Sequence, residues 1–461
     1  MAPLCKPRCD NCGSPAVFWR VHSDGQQRDL CVECTRRQLM RFAPEQAAAL
    51  SDLLERMMSP NTRQGEDACA HCTTSSATLV QQGVAGCAHC YQHLSAAVAQ
   101  WLQNWSLPAQ HRGEPLPSVA HTPLPPLLGA QPSACWLQAL DAFQPVLSSR
   151  ARYARNFVWA PFPWRASSEQ LEQVRQRVEE AARRSPWRFE VIPVDRMKPS
   201  ERQRWIDLRL ASPALDDSPS HGSLIVDEAR VVSVLVNEED HLRVQAVLPD
   251  LQVRKSIALA RGALEALALH EELALSDNYG WLTASLWNTG WGLRVSVMMY
   301  TPALERTGQL QSVWQAAAAL GGVIRGLHGE GTPASALFQV SNAHSIGLDE
   351  ATLAAQVAGT AEFIAQAEHR ARQHLLQEQA SQLHKEAEQV YHILGRARIV
   401  TAQDALQMLS VVSLAAMAGW GRLDAQTWRE MFMTVRWRVQ HDDAEWRAMR
   451  MRTVMRRVRC G

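Results

Sequence analysis

The most chemically dense stretch of the chain is Val236-Asn237-Glu238-Glu239-Asp240-His241-Leu242-Arg243-Val244. Three acids, a histidine and an arginine sit between apolar β-formers, Val232 to Val236 before and Val244 to Val247 after. A carboxylate can orient a weak nucleophile and accept its proton, while an arginine fork can hold an anion. A solvated turn would carry the same charges, so this stretch alone does not decide. Arg150, Arg152, Arg294 and Arg325 lie in other stretches that suit the same chemistry. Together with Arg243 they are permanently charged forks, each able to bind phosphate bidentately. Buried without a counter-charge, five guanidiniums would be very costly, so a polyanion is their natural ligand.

These residues need a scaffold. Arg150 and Arg152 stand at i and i+2, on one side of an extended segment. An apolar helical stretch, Ala134 to Leu147, precedes them. Glu169 to Arg184 reads as an amphipathic helix and Phe189 to Val194 as a strand. Gly222 to Val226, Val231 to Val236 and Leu242 to Leu248 alternate like antiparallel strands around the charged stretch. A helix is expected over Ile257 to Leu275. In the segment Trp281 to Val297, Gly290 and Gly292 let backbone pass close to a ligand, and Arg294 leads into a strand. An apolar helix, Val313 to Ile324, runs into the glycine-rich loop Arg325-Gly-Leu-His-Gly329-Glu330-Gly331, followed by a strand from Phe338 to Asn342. Residues 350 to 461 read as helices, broken near Gly395 and Gly419 to Gly421. The class is α+β, with a mainly antiparallel sheet flanked by helices and a helical domain after it.

Eight of the eleven cysteines form four Cys-x-x-Cys pairs, which points to metal in a reducing compartment. Cys9, Cys12, Cys31 and Cys34 have the spacing of a zinc ribbon, four thiolates on one Zn2+. A helix is expected over Pro44 to Met58. Cys69, Cys72, Cys87 and Cys90 repeat the pattern with a 14-residue gap, and His71 and His89 read as bystanders. The prolines from Leu107 to Pro132 mark a semi-rigid linker. The formal net charge of +1 gives no bulk field for nucleic acid or membrane. No stretch approaches a membrane helix and no signal-peptide run is visible, so a cytoplasmic location is expected.

The segment Ser149-Arg150-Ala151-Arg152-Tyr153-Ala154-Arg155-Asn156, the central acidic stretch, Asn288-Thr-Gly290-Trp-Gly292-Leu-Arg294 and Arg325-Gly-Leu-His-Gly329-Glu330-Gly331 together resemble the guanidino kinases. They are most similar to the bacterial protein-arginine kinases (McsB type). The tandem cysteine pairs, with Gly86-Cys87-Ala88-His89-Cys90-Tyr91, resemble the activator that partners those kinases (McsA type). The resemblance implies a zinc module over 1–95, a linker over 96–134, a catalytic domain over 135–370 and a helical domain over 371–461. It implies transfer of the ATP γ-phosphate, with Mg2+, to arginine side chains of proteins. Arg150, Arg152, Arg243, Arg294 and Arg325 would grip the nucleotide phosphates, and Glu239 and Glu330 would orient the acceptor and take its proton. Implied partners are proteins with exposed arginines, a Clp-type unfoldase or protease, and a second copy of the chain through the helical domain.

Some positions depart from the family pattern. Ser285 stands where a reactive cysteine is expected, and Trp287 and Trp291 replace small residues. In the helical domain a phosphoarginine receptor would need two cationic positions, where this chain has Lys385 and Gln389. Two rival readings follow: a silent adaptor that binds nucleotide and zinc, or a kinase of a small guanidino compound. The latter class has an N-terminal helical substrate domain where this chain has zinc ribbons.

Overall fold

The computed structural model describes residues 18–21 and 27–30 and, from residue 68 onward, all but 113–143, 216–220, 268, 270–271, 327–335, 421–426, 429–430, 433–443 and 460–461. The chain divides into two units, Met1–Asp67 and Ala68–Gly461. The described part of the first is an antiparallel hairpin of β1 (Phe18–Val21) and β2 (Gln27–Leu30). Cys9, Cys12, Cys31 and Cys34, the helix expected over Pro44 to Met58, most of the linker and Glu330 lie outside the described residues.

In the second unit the strands are β3 (Val146–Arg155), β4 (Phe189–Pro193), β5 (Ser223–Asp227), β6 (Val232–Val236), β7 (Leu242–Pro249), the short pair β8 (Leu275–Ser276) and β9 (Gly280–Trp281), β10 (Leu293–Tyr300), β11 (Gly322–Arg325) and β12 (Leu337–Asn342). Eight of them form one sheet in the order β11-β12-β10-β3-β7-β6-β5-β4, antiparallel throughout.

Side chains alternate across this sheet, apart from an irregularity where Met298 and Met299 meet the start of β3. Ala151 and Tyr153, Val232 to Val236 at every second position, Val244 and Ala246, Val295 and Val297, and Phe338 and Val340 share one large core. The helices Ser168–Arg184, Val253–Ala266 and Glu350–Glu378 supply its other half through residues such as Val174, Ile257 and Val357. Ser167 starts the first of these with a capping box, its hydroxyl accepting from Gln170 N–H while the Gln170 side chain accepts from Ser167 N–H.

The opposite face is apolar only towards its ends. Leu224, Val226 and Leu235 pack with Ile206 and Val194. Leu147, Val247, Met298, Tyr300 and Leu337 pack with the C-terminal helices Ala380–Leu394, Ala402–Met417 and Ala444–Arg459. Between these patches the sheet presents Arg152, Arg243, Gln245, Arg294, Ser296 and Ser341. Among the described residues, no helix is long and apolar enough to cross a membrane.

Three helix expectations need correcting. Val146 and Leu147 open β3 and are not helical, because a short apolar run fits a doubly covered strand equally well. The helix expected over Ile257 to Leu275 runs Val253–Ala266, and Leu275 lies in β8. Leu269, Leu273 and Ala274 beyond it are still buried, so the apolar pattern does not mark its end. The helix expected over Val313 to Ile324 runs Leu310–Ala319. Gly321, at φ 86°, breaks it, and Val323 and Ile324 join the edge strand β11. Arg325 is therefore presented from a strand.

His241 is fully buried at the start of the β7 approach. Its Nδ1 accepts from the Phe157 N–H at 3.1 Å, so the proton sits on Nε2, which donates to the Pro161 carbonyl at 3.0 Å. Burial pushes its pKa down to about 3. The unfolded chain takes up this proton near pH 6.5, so the stability His241 contributes is present above that pH. It is lost as pH falls towards 3, by up to about 1.4 kcal/mol per pH unit. Urea titrations between pH 7 and 5 should reveal this slope. The His241→Gln variant should be less stable at pH 7 yet lose less on acidification; an unchanged acid slope would show that other groups set it.

Candidate active site

The polar middle of the sheet is fixed by strand register. Arg152 on β3 lies directly opposite Arg294 on β10, and Arg150 lies opposite Ser296. On the other side of β3, Arg152 faces Gln245 and Ala154 faces Arg243. Beyond β10, Ser296 faces Ser341, and Arg325 on β11 faces Gln339. Like charges opposite one another on neighbouring strands repel. This sheet has such a pair, with a third guanidinium diagonal to it.

Above this floor is a cavity of about 450 Å3, lined by Arg152, Glu239, Arg243, Ser285, Trp287, Asn288, Arg294, Arg325 and Asn342, with Leu293, Val323 and Ala343. The fold thus brings together four of the five arginines, one of the two carboxylates and the serine singled out by sequence. Arg150 does not line the cavity. Its guanidinium donates to Ser296 Oγ at 3.3 Å and Gln339 Oε1 at 3.2 Å, one strand position further along the floor. Trp291 does not line it either, being buried with its indole N–H donating 2.8 Å to the Leu348 carbonyl. Its side chain belongs to the core, so of the two tryptophans only Trp287 narrows the site.

The charges are strongly coupled. Burial and the neighbouring Arg243 push the Arg152 pKa down to about 10, partly offset by Glu238, Glu239 and Asp240. Arg150 is held well below its usual range by burial and by Arg209, Arg152, Arg294 and Arg243. Burial alone would lower Arg243, but the three consecutive acids hold it above its usual range. Arg209, which sequence reasoning did not single out, adds another cation beside this floor. It sits at φ 60°, and its backbone carbonyl accepts from Gln245 at 3.1 Å.

The acidic turn divides its labour. Glu238, whose side chain is 8% exposed, pairs with Arg243 at 2.7 Å and accepts from Ser212 Oγ at 2.6 Å. Glu239 also pairs with Arg243, yet its side chain is 41% exposed and faces the cavity. Asp240 is fully buried and accepts from Asn156 Nδ2 at 2.6 Å and from the Ala284 N–H at 2.7 Å. It therefore ties the turn to the backbone beside Ser285. Asn342 performs a similar service, accepting from Val295 N–H at 2.8 Å and donating to the Leu293 carbonyl at 3.1 Å. The sequence marked it only as the end of a strand.

The Ser285 loop is also held by residues 68–112. The Ala85 N–H donates to the Ala284 carbonyl at 2.8 Å, and Leu286 N–H to the Gly83 carbonyl at 2.9 Å. The Tyr91 hydroxyl donates to the Thr283 carbonyl at 2.8 Å and lies 2.7 Å from Thr289 Oγ1. Trp287 meets Trp101 and Trp105 edge-on, each ring pair 5.0 Å apart.

Cys69, Cys72, Cys87 and Cys90 are buried at the heart of this segment, their sulfurs all within 4.8 Å of one another. Cys69 and Cys87 Sγ are 3.7 Å apart, Cys72 and Cys90 3.3 Å, and Cys87 and Cys90 3.9 Å. Tetrahedral zinc with Zn–S bonds of about 2.3 Å sets its sulfurs about 3.8 Å apart, so the four thiols fit that ion. His93 Nδ1 lies 3.6 Å from Cys69 Sγ, placed to bond to the sulfur from outside the set.

Comparison with known proteins gives the same picture. Residues 170–371 match the ATP:guanido phosphotransferase C-terminal catalytic domain, and residues 67–113 match the McsA central zinc-finger domain. The protein-arginine kinase of Halalkalibacterium halodurans is 36% identical over 278 residues, covering 59% of this chain and 78% of that one. That of Geobacillus stearothermophilus is 35% identical over 280 residues, covering 60% and 77%. Among solved structures, the duplicated taurocyamine kinase of Schistosoma mansoni superposes with a TM-score of 0.56 at 20% identity, over 70% of this chain and 48% of that one. A lombricine kinase gives 0.51 at 18%, over 69% and 90%. At such identities these structures establish the guanidino-kinase fold. Sequence identity to the bacterial enzymes goes further: the chain belongs to the protein-arginine kinase family, ATP- and magnesium-dependent phosphotransferases with guanidino acceptors, and carries a McsA-type zinc finger in the same polypeptide.

Proposed function

We propose that this chain transfers the γ-phosphoryl group of ATP to arginine side chains of proteins, marking them for a Clp-type protease. The observation that carries the phosphotransferase reading is the convergence of four guanidiniums and one exposed carboxylate on a single cavity. The protein acceptor and the protease are supported by the family. In this reading residues 135–370 form the catalytic domain and 371–461 the helical domain, through which two copies pair, in the cytoplasm.

Arg152, Arg243, Arg294 and Arg325 hold the phosphate oxygens, and Arg150 adds its field from along the floor. Magnesium, when bound, supplies further charge neutralisation between the phosphates. Among the described residues lining the cavity, Glu239 is the one carboxylate, which suits an ion that arrives with the nucleotide. Glu239 orients the acceptor guanidinium and takes its proton as nitrogen bonds to phosphorus and the bond to the bridging β,γ-oxygen breaks, releasing ADP. Glu330 is the second carboxylate. Ser285 offers a neutral hydrogen bond where the family pattern has a thiol, so turnover is slowed. Gln389, with Glu386 and Glu388 nearby, makes phosphoarginine feedback through the helical domain weak.

The zinc finger acts as an activator in cis. Its support is the set of backbone bonds from Gly83 and Ala85 to the Ser285 loop, at an effective concentration no separate protein would reach.

Two measurements test this. Incubated with ATP, magnesium and casein, the protein should form acid-labile phosphoarginine. Glu239→Gln should lower the rate by about 10²-fold or more, and Ser285→Cys should raise it a few-fold. ATP binding without transfer above the Glu239→Gln background would establish the adaptor reading instead. Separately, Cys87→Ser should lose one zinc per chain and at least about tenfold in transfer, while ATP affinity stays within about threefold. Equal loss of both would make the zinc finger a stabilising device only.

A further inference from the structure

Two large aromatic side chains in contact with one another remain exposed, Trp105 at 42% and Trp287 at 38%. Trp287 lines the cavity itself. Trp105 stands at the C-terminal end of the helix Ser95–Asn104 in the zinc-finger segment, and its ring meets that of Trp287 at 5.0 Å and 61°. Both are seated from below. Trp101 is 2% exposed and meets Trp287 at 5.0 Å and 80°. It packs in turn over Gly83, where a Cβ would come within 2.6 Å of its indole nitrogen. Gly83 also accepts the backbone bond from Leu286, one residue before Trp287. The rings are therefore braced on a rigid support, and an apolar ledge runs continuously from the catalytic cavity out onto the zinc finger.

We propose that the Trp105–Trp287 ledge is a specificity site, taking an aromatic or large apolar side chain adjacent to the arginine to be phosphorylated. The proposal rests on the reading of the cavity as a protein-arginine kinase site. Glu239 and Trp287 line the same cavity, so an acceptor guanidinium held at Glu239 shares it with the Trp287 ring. The neighbouring residue, one Cα step of about 3.8 Å along, reaches the outer ring. Such neighbours are buried in folded proteins and exposed in unfolded ones, so the ledge selects unfolded segments. The zinc finger then contributes a wall of the substrate site as well as bracing the Ser285 loop.

The test compares two arginine peptides, one flanked by glycines and one by phenylalanines, in the full-length protein. Both the specificity constant for transfer and the dissociation constant in the presence of ADP are measured. The phenylalanine peptide should be preferred by about tenfold in both. Trp105→Ala should bring both ratios close to one, and Trp105→Phe should restore most of the preference. Zinc content confirms that the finger stays folded. Equal use of the two peptides, or a preference that survives Trp105→Ala, overturns the proposal. So does a Trp105→Ala protein that changes its oligomeric state while keeping the preference, since the ledge would then be a self-interface. If neither peptide is phosphorylated, the binding ratio still decides: preference lost on Trp105→Ala upholds the ledge while the kinase reading falls.

Discussion

The second unit depends on an electrostatic conflict built into its sheet. Strand register sets Arg152 against Arg294, with Arg243 diagonal to the pair and Arg325 two strands away. No arrangement of backbone hydrogen bonds relieves that repulsion. Carboxylates that fully neutralised the patch would stabilise the empty fold but leave nothing for a phosphate to gain. The structure compromises. Glu238 and Glu239 pair with Arg243, and among the described residues four guanidiniums and one carboxylate, Glu239, line the cavity. In the proposed function, a bound polyanion would offset that repulsion.

The acidic turn shows how one short segment serves both stability and chemistry. Asp240 and His241 point inward and hold the turn to Asn156, Ala284, Phe157 and Pro161. Glu238 is locked between Ser212 and Arg243. Only Glu239 is left facing the cavity. Its neighbours fix its position, and the role proposed for it depends on that positioning.

The Ser285 side of the cavity is built differently, by close backbone approach. Gly290, at φ 108°, lies where a Cβ would come within 2.6 Å of the Ser345 carbonyl oxygen, and at Gly292, at φ 58°, a Cβ would press equally close to the Ala154 carbonyl oxygen. Between them the Trp291 carbonyl accepts from Arg155 at 2.8 Å, a buried guanidinium stacked 4.2 Å from the Trp281 ring. The outer flank is completed by the zinc finger, whose Cys87, Tyr91 and Trp101 share one core with Phe162, Leu282, Ala284 and Leu286. The cysteine cluster and the Ser285 loop are thereby coupled through packing as well as through hydrogen bonds.

Much of this was legible in the sequence. Alternation over Val231 to Val236 and Leu242 to Leu248 announced antiparallel strands. The i, i+2 spacing of Arg150 and Arg152 announced a shared face, and the Cys-x-x-Cys pairs at Cys69–Cys72 and Cys87–Cys90 announced a metal. Those signals are local, fixed by the pleat or by the reach of four thiolates. Sequence could not say that Arg152 rather than Arg150 would line the cavity, since both share a face and only register decides what stands above each. It could not separate Trp287 from Trp291, because the intervening backbone, held by Gly290 and Gly292, turns one indole to the cavity and the other to the core. Nor did it join the finger at Cys69 to Cys90 with the loop at Ser285, nearly two hundred residues away. That union rests on shared apolar burial and a few backbone bonds, and no residue spacing records either.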